Sequence, residues 1–220
     1  MTAQSTKPVQ SAGRPDAAYG VVIGPGIVRF ERVLPGPIER VWSYLTDSKK
    51  RSMWLAAGEM ELRPGGPVEH IFRNSDLTAH DDPPPAKYAA HAKETRMHGQ
   101  ILACEPPRLL AYSWGEITGE HADAHSEVRF ELSTVGNDVR LVLTHSKLAN
   151  RDGMVGVSGG WHSHLDLLAD QLRGRTPAAF WAAFTRLESA YEQRIPASQQ
   201  GAASPASEAA GIPVTGPAGR

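Results

Sequence analysis

The sequence predicts an α+β domain, in which a curved antiparallel sheet of about six to seven strands surrounds a long C-terminal helix. Three observations carry this expectation. Short runs with apolar residues at every second position recur between turn signals through the first two-thirds of the chain. The last third changes to helical spacing, with Trp161, Leu165, Leu168 and Leu172 in one stripe. The order of these runs leaves a single long helix to cover a whole sheet face, an arrangement that leaves a cavity between helix and sheet.

Residues 27–34 (IVRFERVL) mix β-formers and charges in near alternation, as a half-buried first strand does. Pro35-Gly36-Pro37 ends it, and Ile38, Val41, Trp42 and Leu45 then recur at helical spacing. A second short helix is expected over 49–57, presenting Met53 and Trp54. Residues 59–63 and 67–73 flank Pro64-Gly65-Gly66 as a hairpin, with Val68, His70 and Phe72 on one face. Residues 75–97, with Pro83-Pro84-Pro85, break the rhythm and form a long inserted loop, of the kind that is either a functional lid over the cavity mouth or disordered. Strands resume at 99–104 and 109–114, where Leu110, Tyr112 and Trp114 point one way. After a loop at 115–124, residues 126–134 and 139–145 form the clearest hairpin. Val128, Phe130 and Leu132 face inward from one strand, and Val139, Leu141, Leu143 and His145 from the other. Beyond the long helix, Phe180, Phe184, Leu187 and Tyr191 predict an extra helix over 177–194, packed back on the domain or forming a homodimer seam.

The domain is expected to occupy 27–195. Residues 1–26 and 196–220 are rich in Pro, Gly, Ser and Ala with few charges, and read as disordered tails. With 23 basic and 24 acidic residues in 220, the near-neutral balance speaks against nucleic acid as the partner. No apolar run approaches the roughly 18 residues of a membrane span. A single cysteine, Cys104, and a polar N-terminus without a signal peptide point to the cytoplasm.

Chemistry-bearing residues are sparse. Gly156-Val157-Ser158-Gly159-Gly160 matches G-x-S-x-G, but no strand precedes it, so it reads as a flexible approach to the long helix with Ser158 near the N-terminus. His121 and His125 sit in a loop-like stretch. His162 and His164 diverge by about 200° on a helix, so no metal site is expected from either pair. Cys104 has no basic neighbour and reads as a small hydrophobe. His70 and His145 continue the apolar faces of their strands, and so are candidates for contact with a ligand. Tyr112 and Trp114 combine an apolar body with a polar handle. The candidate cavity lining is His70, Phe72, Tyr112, Trp114, Phe130, Leu132, Leu143 and His145, with no cofactor and no catalytic residue assigned.

Three stretches together resemble a known family. They are FERVLPGPIERVWSYLTD at 30–47 followed by Trp54, HGQILACEPPRLLAYSW at 98–114, and THSKL at 144–148 with GGWHSHLDLLADQL at 159–172. In this order they resemble the START/Bet v 1-like (SRPBCC) superfamily, closest to bacterial proteins similar to the C-terminal domain of the activator of Hsp90 ATPase (AHSA1-like). The resemblance implies a helix-grip fold with an internal cavity that binds a small apolar molecule such as a lipid or polyketide. It leaves two alternatives open: a polyketide cyclase or hydrolase-like enzyme using a pocket histidine, and a co-chaperone-like interaction module. The longer Hsp90 activators carry a separate N-terminal domain, which residues 1–26 are too short to supply.

Overall fold

The computed structural model describes residues 19–80, 82–115 and 125–197. Its strands are β1 (Val21–Gly24), β2 (Ile27–Pro35), β3 (Pro67–Phe72), β4 (Thr95–Glu105), β5 (Leu109–Trp114), β6 (Ser126–Val135) and β7 (Asp138–Ser146). They form one curved antiparallel sheet in the order β1-β2-β7-β6-β5-β4-β3. Alternation sets its two faces. The register aligns Phe30, Leu143 and Phe130 across three adjacent strands, so their rings and branched chains form one apolar row. On the opposite face Glu31 accepts from Arg29 and Arg140, a solvent-side pairing of neighbouring strands.

Helices α1 (Ile38–Thr46), α2 (Ser48–Arg51), α3 (Arg151–Arg173) and α4 (Phe180–Arg194) complete the domain. In α1, Ile38, Val41 and Leu45 are buried, as their spacing predicts. α3 lies across the inner face of the sheet with Trp161, Leu165, Leu168 and Leu172 all buried. Each such side chain contributes about 1.5–3 kcal/mol by leaving water. The Asn150 side chain caps α3 by accepting from the Gly153 amide, and Gly174, at φ 64, ends it in the left-handed conformation.

The expected helix-grip architecture is present, and several local expectations need correction. Residues 21–24, assigned to the N-terminal tail, form β1 and pair with β2. Just before them the Gly20 amide donates to the Tyr191 hydroxyl at 2.7 Å, and Tyr19 packs against the rings of His162 and Tyr191. Residues 59–63 are no regular strand: 57–60 reach β3 only through bridges at Ala57–Ile71 and Met60–Val68. The second short helix stops at Arg51 instead of running to 57, because the chain curls back around the Arg51 guanidinium. Gly58, at φ 105, permits that curl, since a Cβ there would meet the Glu69 carbonyl oxygen at 2.3 Å.

α3 starts at Arg151, so the G-x-S-x-G run lies inside the helix, not ahead of it. Ser158 is buried in mid-helix, and no strand-to-helix elbow exists there. The glycines have a packing role instead: a Cβ on Gly159 would lie 3.1 Å from Cα of Glu188, so α3 and α4 cross closely at this point. α4 thus packs back on the domain, burying Phe180, Trp181, Phe184, Leu187 and Tyr191.

The insertion at 75–97 is mostly ordered against α4. Short 3-10 turns occupy Asn74–Asp76 and Ala86–Ala92, and β4 already begins at Thr95. The Asp82 carboxylate accepts from the amides of Trp181 and Ala182, capping a helix whose own N-cap residue supplies no side-chain bond. Farther on, Tyr88 stacks on Trp181 and meets Phe184 edge-on, while its hydroxyl donates to Glu188. At the other end of α4, Arg151 donates to the carbonyls of Ile195 and Glu192. In β4, a bulge between Ile101 and Ala103 shifts the register and sets Cys104 opposite Leu110, where it packs against the core.

The α3–α4 crossing yields a stability prediction. Gly159→Val should lower the midpoint of thermal unfolding, corresponding to a loss of about 1–3 kcal/mol, because the new methyls have no room against Glu188. Gly136→Ala would isolate the cost of a turn substitution, since nothing lies within 4 Å of a Cβ there and only its φ of 61 is strained. Equal losses in the two variants, read by calorimetry, would contradict a packing role for Gly159.

Candidate functional site

The inner ends of β3 and β5 bring four of the eight candidate residues into one aromatic cluster. His70 lies 5.6 Å from Phe72, 5.2 Å from Tyr112 and 5.6 Å from Trp114, measured between ring centroids. Two more join from the far side: Phe130 lies 6.2 Å from Tyr112, and His145 lies 5.6 Å from Trp114. Trp161 of α3 closes the group, 5.1 Å from Trp114 and 5.7 Å from Phe130. Leu143 and Leu132 are buried on the same sheet face, Leu143 beside Phe130 in register and Leu132 opposite Leu141, and they extend the apolar floor. Trp114 is the half-buried member, so the cluster comes closest to the surface there.

The two candidate histidines have different roles. The Trp161 indole donates to Nδ1 of His145 at 2.9 Å, which leaves the proton on Nε2, and Nε2 meets the Ser126 hydroxyl at 2.8 Å. Both nitrogens are therefore occupied, Nδ1 in holding α3 on the sheet and Nε2 in a bond to the neighbouring strand β6. His70 is fully buried, and neither of its ring nitrogens has a hydrogen-bond partner among the described residues. The Tyr112 hydroxyl, also fully buried, is in the same state. Unmatched buried polar atoms of this kind are rare and costly, about 1–3 kcal/mol each.

Arg51 was missed by sequence reasoning, because an arginine in the run Ser48-Lys49-Lys50-Arg51 reads as solvated. It is 1% exposed and donates only to backbone carbonyls, those of Thr46, Ala56, Ala57 and Gly58. Among the described residues no carboxylate pairs with it. Burial holds the His70 imidazole well below its ordinary pKa, and the nearby Arg51 charge pushes in the same direction. Burial raises the Tyr112 phenol, with Arg51 opposing.

Two further histidines on α3 tie the helix to its neighbours through Nδ1, although Nε2 of His164 is also buried without a partner among the described residues. Nδ1 of His164 donates to the Trp54 carbonyl at 2.6 Å, and Nδ1 of His162 accepts from the Tyr191 hydroxyl at 3.0 Å. They point to different neighbours, in line with their divergence on the helix. Among the described residues no three His, Cys, Asp or Glu side chains gather as a metal site would require. His121 lies outside the described residues, as does the loop after Gly115. Among the described residues, too, no helix is long and apolar enough to cross a membrane.

The four buried imidazoles make stability depend on pH. Burial depresses His145 and His162 to about 3 and His164 to about 4, from an ordinary value of 6.5, and His70 is depressed too. The unfolded chain takes up these protons near pH 6.5 and the folded chain does not. The histidine contribution is therefore complete above that pH and declines as the pH falls toward the folded values. Each histidine within its window costs about 1.4 kcal/mol per pH unit. Urea unfolding should give a constant midpoint from pH 7 to 8 and a steeply lower one from pH 6 to 4.5. A flat midpoint down to pH 4.5 would show that these imidazoles are charged in the fold.

Comparison with known proteins places the domain. Residues 35–173 match the family model described as Activator of Hsp90 ATPase homolog 1-like protein. A protein from Bordetella parapertussis, solved by solution NMR, is 43% identical with a TM-score of 0.68, over 92% of this chain and 100% of its own. The crystal structure of CalU16 from Micromonospora echinospora is 25% identical with a TM-score of 0.54, over 77% of this chain and 88% of its own. A conserved protein of unknown function from Enterococcus faecalis shares the fold at 16% identity, with a TM-score of 0.57 over 81% of this chain and 91% of its own. No curated protein matches the chain. The family model spans the sheet from the end of β2 to the end of α3, and the chain belongs to the Activator of Hsp90 ATPase homolog 1-like (AHSA1-like) family of the SRPBCC superfamily.

Proposed function

We propose that this chain binds a small, largely apolar molecule between the inner face of the sheet and α3, without transforming it. One observation carries this reading: the Tyr112 hydroxyl and both nitrogens of His70 are fully buried, surrounded by aromatic rings, and without partners among the described residues. A core built only for stability satisfies such groups or replaces them with apolar ones. A binding site keeps them for an occupant. Phe72, Trp114, Phe130 and Trp161 supply the apolar walls, and Trp114, the half-buried member, marks the side from which the occupant is admitted. His145 does not serve as an acid or base in this reading, because both of its nitrogens already hold Trp161 and Ser126.

Native mass spectrometry of freshly purified protein, followed by organic extraction, tests the reading. The expected result is a single small molecule bound near one equivalent and lost in Trp114→Ala, with far-ultraviolet circular dichroism unchanged. A bare protein mass that no panel of lipids and aromatic compounds shifts would remove the binding role and favour a surface-mediated interaction instead.

A further inference from the structure

We infer that the buried site selects an aromatic weak acid, a flat molecule presenting a phenolic, enolic or carboxylic oxygen to Tyr112 and His70 in the field of Arg51. This inference rests on the binding role proposed above and specifies its ligand class. Arg51 is the starting point. Its guanidinium is 1% exposed, and its four hydrogen bonds go to the carbonyls of Thr46, Ala56, Ala57 and Gly58. Carbonyl dipoles satisfy its N–H groups but do not cancel its charge. Glu59 and Asp47 favour that charge from a distance but neither pairs with it, and a buried cation without a direct counter-ion favours a group of opposite sign brought near it.

Ala57, whose carbonyl Arg51 reaches, is bridged to Ile71, the residue after His70, so the charge lies beside this end of β3, where it opposes protonation of the His70 ring and favours ionisation of the Tyr112 phenol. The uncommitted groups fit an anionic oxygen. A tyrosine hydroxyl donates one hydrogen bond, and a neutral imidazole donates one and accepts one. Two donors on rings 5.2 Å apart, near a buried cation, suit an oxygen that carries, or can release, a proton's worth of charge. An ammonium group in the same place would meet Arg51 and be rejected. The walls set the rest of the molecule. Phe72 and Trp114 lie 5.9 Å apart, and Trp114 and Trp161 5.1 Å apart, so these rings already touch one another, and a flat aromatic occupant packs against the continuous aromatic surface they make.

The test uses the full chain and three probes that share one ring system: naphthoic acid, naphthylmethanol and naphthylmethylamine, titrated calorimetrically at pH 7.5. The expected order is acid, then alcohol, then amine, with the acid about tenfold tighter than the alcohol. Tyr112→Phe keeps the ring packing and removes only the hydroxyl. It should bring acid and alcohol within about threefold of each other, chiefly by weakening the acid. Alcohol or amine binding as tightly as the acid would overturn the acid preference and leave the binding role standing. An undiminished preference in Tyr112→Phe would remove Tyr112 from the site. Failure of all three probes to bind would overturn both the preference and the site.

Discussion

The bond from the Trp161 indole to the His145 imidazole fixes how the long helix lies on the sheet, and the other layers are built on that placement. Trp161 is fully buried and touches Trp114, Phe130 and His145 at once, so its ring works as a pin through the sheet–helix interface. The pin requires a neutral His145, because only an unprotonated Nδ1 can accept the indole proton. α4 then packs on α3 where Gly159 allows it, and the segment around Tyr88 packs on α4. Each layer is placed by the one beneath it.

Much of this architecture was legible in the sequence, and the reason is periodicity. The alternating faces of β3, β6 and β7 follow directly from residues such as Val68, His70 and Phe72, because a strand with one dry face has to alternate. The stripe from Trp161 to Leu172 marked α3 for the same kind of reason. Features without a period were hidden. The β4 bulge moves Cys104 toward the core, and simple alternation cannot show an inserted residue. The first turns of α3 are rich in Gly and Ser, which reads as a loop until a partner helix requires small side chains. β1 is only four residues long and sits among tail-like sequence, so it depends on pairing with β2, the next strand, and on the Tyr191 hydroxyl, which is far away along the chain.

The candidate site was legible to about the same degree. His70, Phe72, Tyr112 and Trp114 were identifiable as inward-facing, and they do meet. Which histidine was committed elsewhere was not, because the partners of His145 come from β6 and α3. Arg51 left no sequence signal at all. Its burial results from the curl at 52–58, a long-range outcome of Gly58 fitting under Glu69.

The contacts between the segment around Asp82 and Tyr88 and helix α4 have a consequence for how such a chain can change over descent. Asp82 caps α4, and Tyr88 rests on Trp181 and Phe184, so each element covers surface that the other would otherwise expose. The family match ends at Arg173, before α4 begins, while the partner segment lies inside the matched region. Insertion and helix are therefore coupled by contact, whatever the history of either piece. A lineage that lost the helix would be under pressure to shorten the insertion, and one that lengthened the insertion would need the helix to cover it.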